Sequence, residues 1–313
     1  MTDLSIIIVG WNSVRDLTQC LPSLRAGCPA HVCEILLVDN ASTDDTVAFS
    51  RQILPSITVI RNDRNAGFAH ANNQAIAIAT GRYLCLLNPD TVVHPGALDT
   101  LVSFLDGHPE AWACGPGLLN GDGTPQRTGV RFPSLWNLAV EAVFLDRVLP
   151  RTKVFGSHRQ LYAMGTAARE VDFVQGSCLM VRREVIQRVG GLDERFFMYF
   201  EETDWCRRIV GEGGKVFIVP SAAVTHFGGG TTGHYDERRL VHYHESLLLY
   251  FSKHHGIASQ ITVRILVLGR SCLRLLVWGA MALAKQRLRA SALSAMRGYG
   301  RVLILVFTSW KRP

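Results

Sequence analysis

"RNDRNAGFAHANNQAIAIATGRYLCLLNPD", residues 61–90, runs a short loop, an amphipathic stretch and an apolar run straight into an acid. Residues 67–80 read as a helix, and "RYLCLLN", residues 82–88, as a strand buried on both faces. Pro89 has no N–H with which to extend a ladder, so the strand stops there and Asp90 stands at its tip. The arrangement looks built to aim a carboxylate.

The same alternation extends on the N-terminal side. "LSIIIVG" (4–10), "EILLVDN" (34–40) and "ITVIRN" (57–62) are short apolar runs, and "RDLTQCLPSL" and "TDDTVAFSRQIL" are helix-like stretches between them. Continuous Val/Ile/Leu strands alternating with helices predict an α/β fold with a mostly parallel sheet covered on both faces. Ligands of such sheets bind outside the carboxyl ends of the strands. Three of those ends are chemically loaded: Trp11-Asn12, Asp39-Asn40 and Asn88-Pro89-Asp90.

Composition narrows the classes. The chain has 313 residues, 48% of them hydrophobic, enough for one large core or two modest ones. Its eight Cys include no CxxC pair and several lie inside apolar runs, which favours buried reduced thiols over a zinc site or a disulfide framework. "MTDLSIIIVGWN" lacks the basic segment and cleavage site of a signal peptide. The first strand-to-helix turn has no GxGxxG, which disfavours an NAD-dependent oxidoreductase, and no Walker-A pattern is present. Formal net charge is +7, yet residues 1–245 hold 22 basic and 26 acidic groups, whereas the remainder holds 11 basic and no acidic ones. A mildly acidic body thus carries a basic tail suited to a partner of negative charge. A nucleic-acid-binding protein would account for the tail. It would not account for ordered acids at strand ends, and no aromatic-studded basic groove is evident.

Past residue 116 the pattern loosens. "NGDGT" signals a turn, and "RTKVFGSHRQLYAMGTAARE" (151–170) reads as a mobile loop. Order resumes at "VDFVQGSCLMVRREVIQRVGGLDERFFMYFEETDWCRR", with strands, a short helix, a loop and a helix starting near Glu201. A further strand ends near His226, ahead of a glycine-rich loop. Three acids crowd the start of the helix: Glu201, Glu202 and Asp204. Asp204 and Arg208 form an i,i+4 pair of structural character, and a helix N-terminus is expected to keep the Glu202 carboxylate ionised at neutral pH.

As a set and in this order, these segments resemble the family 2 glycosyltransferases of the GT-A fold over roughly residues 4–230. "SIIIVGWN" is similar to the family's opening strand, "VDNASTDDT" to its nucleotide-binding turn and "NAGFAHANN" to the following loop and helix. "NPD" stands where the metal-binding DxD lies, "GSCLMVRR" resembles the strand bordering the acceptor, and "GGLDERFFMYFEETDWCRR" the segment carrying the catalytic acid. Within the family the last two segments most resemble rhamnosyltransferases of cell-wall and O-antigen assembly. The resemblance implies a donor-binding half over about 1–120, an acceptor and catalytic half over about 121–230, and a separate basic helical region over 231–313. It implies donor contacts from Trp11, Asn12, Asp39, Asn40, Asn65, Gly67, Phe68, Asn88 and Asp90. It places Gly176, Ser177 and Asp204 on the acceptor side, with Mg²⁺ or Mn²⁺ held by Asp90 and His226. The implied reaction is inverting, with dTDP-rhamnose as donor and a lipid-linked saccharide as acceptor; a UDP- or GDP-sugar donor is the alternative. Two positions depart from the pattern. The DxD retains only Asp90 as a strong ligand, and the family's Glu-Asp pair reads Glu201-Glu202. Glu202 falls where the family has its catalytic Asp, with Glu201 the alternative base.

Projected on a helix at about 100° per residue, Arg264, Arg270, Arg274, Lys285 and Arg289 fall within an arc of about 120°. The longest charge-free run, 275–284, is shorter than a bilayer span. The expectation is a helix lying on the inner face of the cell membrane with its basic side toward anionic lipid, which makes the protein cytoplasmic and peripheral. "VLILVFTSW" is a second candidate anchor. No nucleic-acid partner is expected, and the sequence sets no oligomeric state.

Overall fold

The computed structural model describes residues 2–126, 129–143, 145–148, 167–228, 237–284 and 286–309. Most of the segment read as a mobile loop, together with Lys285 and Trp310, lies outside these residues. The chain forms two compact units.

The first unit is built on a nine-stranded mixed sheet. Strands β1 (Leu4–Gly10), β2 (Cys33–Asp39), β3 (Thr58–Arg61) and β4 (Tyr83–Leu87) alternate with helices α1 (Val14–Gly27), α2 (Thr46–Ile53) and α3 (Phe68–Ile78). They pair in parallel in the order β3-β2-β1-β4. Beyond them come β5 (Thr91–Val93), α4 (Ala97–Gly107), β6 (Ala111–Leu119), β7 (Gly129–Val130), β8 (Arg169–Val171), β9 (Phe173–Val174), β10 (Cys178–Arg182), α7 (Arg183–Val189), α8 (Glu201–Gly211) and β11 (Lys215–His226). The parallel arrangement breaks at β10, which runs antiparallel between β4 and β6. β11 is parallel to β6 and antiparallel to β5 and β8.

The apolar runs are continuous because both faces of the sheet are covered. Leu4, Ile6 and Ile8 of β1 enter one core with Leu17, Leu21 and Leu24 of α1 and Leu98, Leu101 and Leu105 of α4. Ile7, between them, enters the other core with Ala69, Ala71 and Ala75 of α3 and Trp205 and Ile209 of α8. Strand side chains alternate between faces, so a run buried on both sides needs an apolar residue at every position. The cysteines are all unpaired thiols, and only Cys272 is exposed. Cys28, His31 and Asp99 bring ligand atoms within 4.8 Å of one another near the start of β2. That is a closer cluster than the spacing suggested, but His31 Nδ1 and Asp99 already pair at 2.6 Å.

The second unit comprises α5 (Leu135–Ala142), α6 (Leu145–Val148), α9 (Glu237–His254), α10 (Ile257–Ala284) and α11 (Arg289–Thr308), with the residues 198–200. Three of the tail arginines expected on a lipid-facing side are held within this unit. Arg264 donates to the Val306 carbonyl at 2.6 Å and to the Ser309 hydroxyl at 2.9 Å. Arg270 pairs with Glu141 at 3.4 Å, and Arg274 is 8% exposed. Acceptors on neighbouring segments thus hold Arg264 and Arg270 within the unit, although, among the described residues, the Nε of each guanidinium is buried without a hydrogen-bond partner. Helices α10 and α11, 28 and 20 residues long with mean hydropathies of 1.6 and 1.2 in their most apolar windows, are long and apolar enough to cross a membrane.

Candidate active site

The topology gathers the loaded positions at one edge of the sheet. β1, β2 and β4 are parallel and end at Gly10, Asp39 and Leu87, so Trp11-Asn12, Asp39-Asn40 and Asn88-Pro89-Asp90 emerge side by side. β10 runs the opposite way and begins against Leu87, which brings Gly176-Ser177 to the same edge. β11 ends there with His226 opposite Thr91.

At the β1 end, Trp11 is 51% exposed. Asn12 has a positive φ of 53°, and its side-chain oxygen accepts from the Thr43 N–H at 2.7 Å. The Ser42 hydroxyl accepts from the Asn12 N–H at 2.8 Å, so the two strand-end turns brace each other. Asp39 is buried, accepts from the Ser42 N–H at 3.2 Å and lies 3.7 Å from the Arg61 guanidinium. Asn40 acts on the protein itself. Its amide donates to the Gly67 carbonyl at 3.2 Å and its oxygen accepts from Asn62 at 2.9 Å. Asn40 thereby positions the Asn65-Ala66-Gly67 loop. Gly67 has φ 90°, and a Cβ there would meet the Phe197 carbonyl at 2.7 Å, so glycine is required for packing against Phe197. Phe68 donates its N–H to that same carbonyl at 2.8 Å. Asn65 accepts from the Gly67 N–H at 3.1 Å and borders a cleft of about 340 Å³ with Arg64, His70 and Glu194.

The Asn-Pro-Asp turn is held on both sides. The Asn88 N–H donates to the Ser177 carbonyl at 2.9 Å, and the Asn88 carbonyl accepts from the Thr91 hydroxyl at 2.7 Å. Asp90 and His226 come together, Oδ1 to Nε2 at 3.4 Å, and both are mostly buried. The Gln126 amide donates to the His226 carbonyl at 3.2 Å and to Asn120 at 2.9 Å, which turns its Oε1 toward the imidazole. That oxygen can only accept, so His226 Nδ1, 2.7 Å away, carries the hydrogen. Nε2 then faces the carboxylate across a gap long for a hydrogen bond, which suits two ligands on one cation. Asp16, in the first turn of α1, lies in the same field: burial first and the Asp90 charge second hold its carboxyl above the ordinary range. A site with negative charge in excess of its one imidazole fits a hard divalent ion completed by substrate oxygens and water. Sequence reasoning missed Asp16 and Gln126, which no local spacing marks.

Gly176 leads to the carboxylates. A Cβ on Gly176 would lie 3.5 Å from Glu202 Cβ, an ordinary van der Waals contact, so Gly176 packs beside the glutamate stem. Among the described residues, Oε2 of Glu201, Oε2 of Glu202 and the Ser177 hydroxyl are buried without a hydrogen-bond partner. The helix start does not hold the two glutamates in the ordinary carboxylate range. Burial pushes Glu202 up to about 6, although Thr203 donates to it. Burial, and then the Glu202 charge, holds Glu201 well above the usual range. Desolvation outweighs the helix N-terminus here. Tyr199 and Phe200, immediately before Glu201, both have positive φ (70° and 66°), so the chain enters α8 through an uncommon backbone path.

Asp204 stands apart from the acceptor side. It is fully buried and pairs with Arg208 at 2.9 Å, while Arg208 also donates to the Val189 and Gly191 carbonyls. Asp204→Ala leaves that guanidinium uncompensated and should cost about 3–5 kcal/mol. Thermal unfolding should show a midpoint lower by several degrees, and an unchanged midpoint would reduce the pair to a surface contact.

Residues 5–190 match the model of the family described as Glycosyl transferase family 2. The chain is 31% identical over 268 residues to the N-acetylglucosaminyl-diphospho-decaprenol L-rhamnosyltransferase of Mycobacterium tuberculosis, covering 82% of this chain and 86% of the relative. Among solved structures it is similar to a mannosyltransferase from Pyrobaculum calidifontis in complex with GDP-Man and Mn²⁺, with TM-score 0.57 and 17% identity over 100% of this chain and 90% of that one. It also resembles GalNAc-T7 with UDP, GalNAc and Mn²⁺, with TM-score 0.53 and 17% identity over 72% of this chain. The match spans only 44% of the GalNAc-T7 chain. Identities this low speak for the fold alone, whereas the family match and the mycobacterial relative speak for descent: the chain belongs to glycosyl transferase family 2.

Proposed function

We propose that the protein transfers L-rhamnose from dTDP-rhamnose to a lipid-linked saccharide with inversion, at the inner face of the cell membrane, in cell-envelope polysaccharide synthesis. The observation that carries the reaction is the buried Glu202 carboxylate, one oxygen of it free, set against Gly176 at the sheet edge where Asp90 and His226 converge. The rhamnosyl and lipid parts draw support from the name of the mycobacterial relative.

In this reading Trp11, Asn12 and Asp39 flank the nucleoside, and the Asn65–Phe68 loop flanks the sugar. Asp90 and His226 hold Mg²⁺ or Mn²⁺, whose chemistry is to neutralise the diphosphate as it leaves. Glu202 accepts the proton of the attacking acceptor hydroxyl. Its position near 6 suits that role, because it is mostly ionised at neutral pH and basic enough to take a proton in the transition state. Glu201 stays protonated beside it, so the pair carries one negative charge rather than two. Asp204 keeps a structural role.

The test is transfer to a GlcNAc-diphospho-polyprenol acceptor with dTDP-rhamnose, UDP-GlcNAc and GDP-mannose as donors, each with Mn²⁺ or EDTA. Rhamnosyl product only from the first donor is expected. Turnover with a UDP- or GDP-sugar alone would keep the fold and mechanism and replace the donor.

A further inference from the structure

We propose that α10 and α11 lie in the membrane plane and bury an apolar face among the acyl chains of one leaflet, so that binding is driven by apolar burial rather than by anionic lipid. The inference rests on the reading that the acceptor is membrane-linked, and it reverses the side of the tail that faces lipid.

At about 100° per residue, Ile257, Ile261, Ile265, Leu276 and Leu283 share an arc of about 100° on α10. They are 60%, 44%, 61%, 73% and 93% exposed. Arg270 and Arg274 lie on the other side, paired with Glu141 or buried outright, while Arg264 borders the arc about 20° from Ile257, lines the same groove and turns its guanidinium to Val306 and Ser309. On α11, Leu293, Ile304 and Phe307 are 44%, 64% and 70% exposed, while Ala292, Ala295, Tyr299, Val302 and Val306 on the opposite side are buried. Arg297 and Arg301 border that apolar strip, and both reach Glu237. The two helices also wall an apolar groove of about 270 Å³ with Ile261, Ile265, Leu268, Val306 and Phe307 in its lining.

A face this apolar, rimmed by cations and carrying no exposed acid, matches the acyl layer just under the headgroups. Only 17% of the most apolar window of α10 is buried within the protein, so it is not a core helix. A transmembrane arrangement is disfavoured by α9, which packs on both helices and carries Glu237, Arg238, Arg239, His242, Glu245 and Lys253. Those groups would be drawn into hydrocarbon with the hairpin.

Flotation of the full chain tests this, with vesicles of phosphatidylcholine alone and of phosphatidylcholine with phosphatidylglycerol, at low and high salt. Binding to both compositions, retained in high salt, is expected. The double variant Leu276→Glu/Phe307→Glu changes two exposed side chains and should fold normally, yet float at least tenfold less. It should keep transfer to a water-soluble, short-chain acceptor, so a failed sugar assignment and a failed membrane assignment read out separately. Flotation confined to anionic vesicles and released by salt would overturn the proposal in favour of charge-driven binding. So would equal flotation of the double variant, or a wild type that ignores vesicles and self-associates through this face.

Discussion

Glu202→Gln should lower kcat by two to four orders of magnitude with donor affinity little changed. Gln preserves the size of the side chain and its fit against Gly176, but it cannot take a proton. Loss of a general base costs about 10²- to 10⁴-fold, and donor contacts at the β1, β2 and β4 ends do not pass through this residue. The wild-type rate should also titrate. A base must be ionised, so activity should rise with pH through about 6 and then level off. A Glu202→Gln enzyme with near-normal kcat, or a wild-type rate flat from pH 5 to 8, would remove Glu202 from the role.

Glu201 is the control for the two acids that the sequence left competing. The Glu202 charge is one cause of the raised position of Glu201, so Glu202 loses its proton first. Gln at position 201 therefore mimics the neutral form already present, and Glu201→Gln should keep kcat within about tenfold. Stability gives the second readout. A carboxyl whose folded value lies above its unfolded 4.5 favours folding at low pH and loses that contribution as pH rises. The wild type should thus lose unfolding midpoint as pH climbs above the ordinary carboxylate range, and Glu201→Gln should flatten that decline. If Glu201→Gln is the inactive variant and Glu202→Gln turns over normally, the roles are exchanged.

The parallel half of the sheet was legible because each strand is buried on two faces and each helix on one, a pattern the residues must display to fold at all. The strand ends were legible for the same reason: Asp39 and Asp90 interrupt apolar runs where the topology puts ligands. What escaped was whatever depends on partners distant in sequence. The sequence marked Asn40 as a site residue but not its bonds to Asn62 and Gly67, which brace the neighbouring loop. Gln126 carries no local signal, yet it sets the tautomer of His226, 100 residues on. The upward shift of both glutamates escaped because the helix start is visible in sequence and their burial is not. The arginine arc on α10 was legible as an arc, but the acceptors that Arg264 and Arg270 meet on neighbouring helices were not, since periodicity gives the face and not what covers it.

Asp90→Ala should abolish metal-stimulated turnover while leaving the fold intact. In the proposed reading the protein ligands are Asp90 and His226, and the carboxylate lies 3.4 Å from the imidazole Nε2. A divalent ion held by so few protein groups depends on each, with the remaining positions left to diphosphate and water. The backbone of the turn does not need the side chain: the Asp90 carbonyl accepts from the Phe227 N–H at 3.0 Å, and Asn88 carries the bond to Ser177. Unfolding midpoints of variant and wild type should therefore agree within a few degrees in EDTA, and only the wild type should gain stability from Mn²⁺ plus nucleoside diphosphate. Removing the Asp90 charge should also relieve Asp16, so its titration should move toward the ordinary carboxylate range. Gln126→Ala should weaken Mn²⁺ less, by about 10- to 100-fold, as the loss of an outer partner of a ligating histidine does. Near-full activity of Asp90→Ala in Mg²⁺ or Mn²⁺ would mean that the carboxylate at the end of this strand is aimed at something other than a cation.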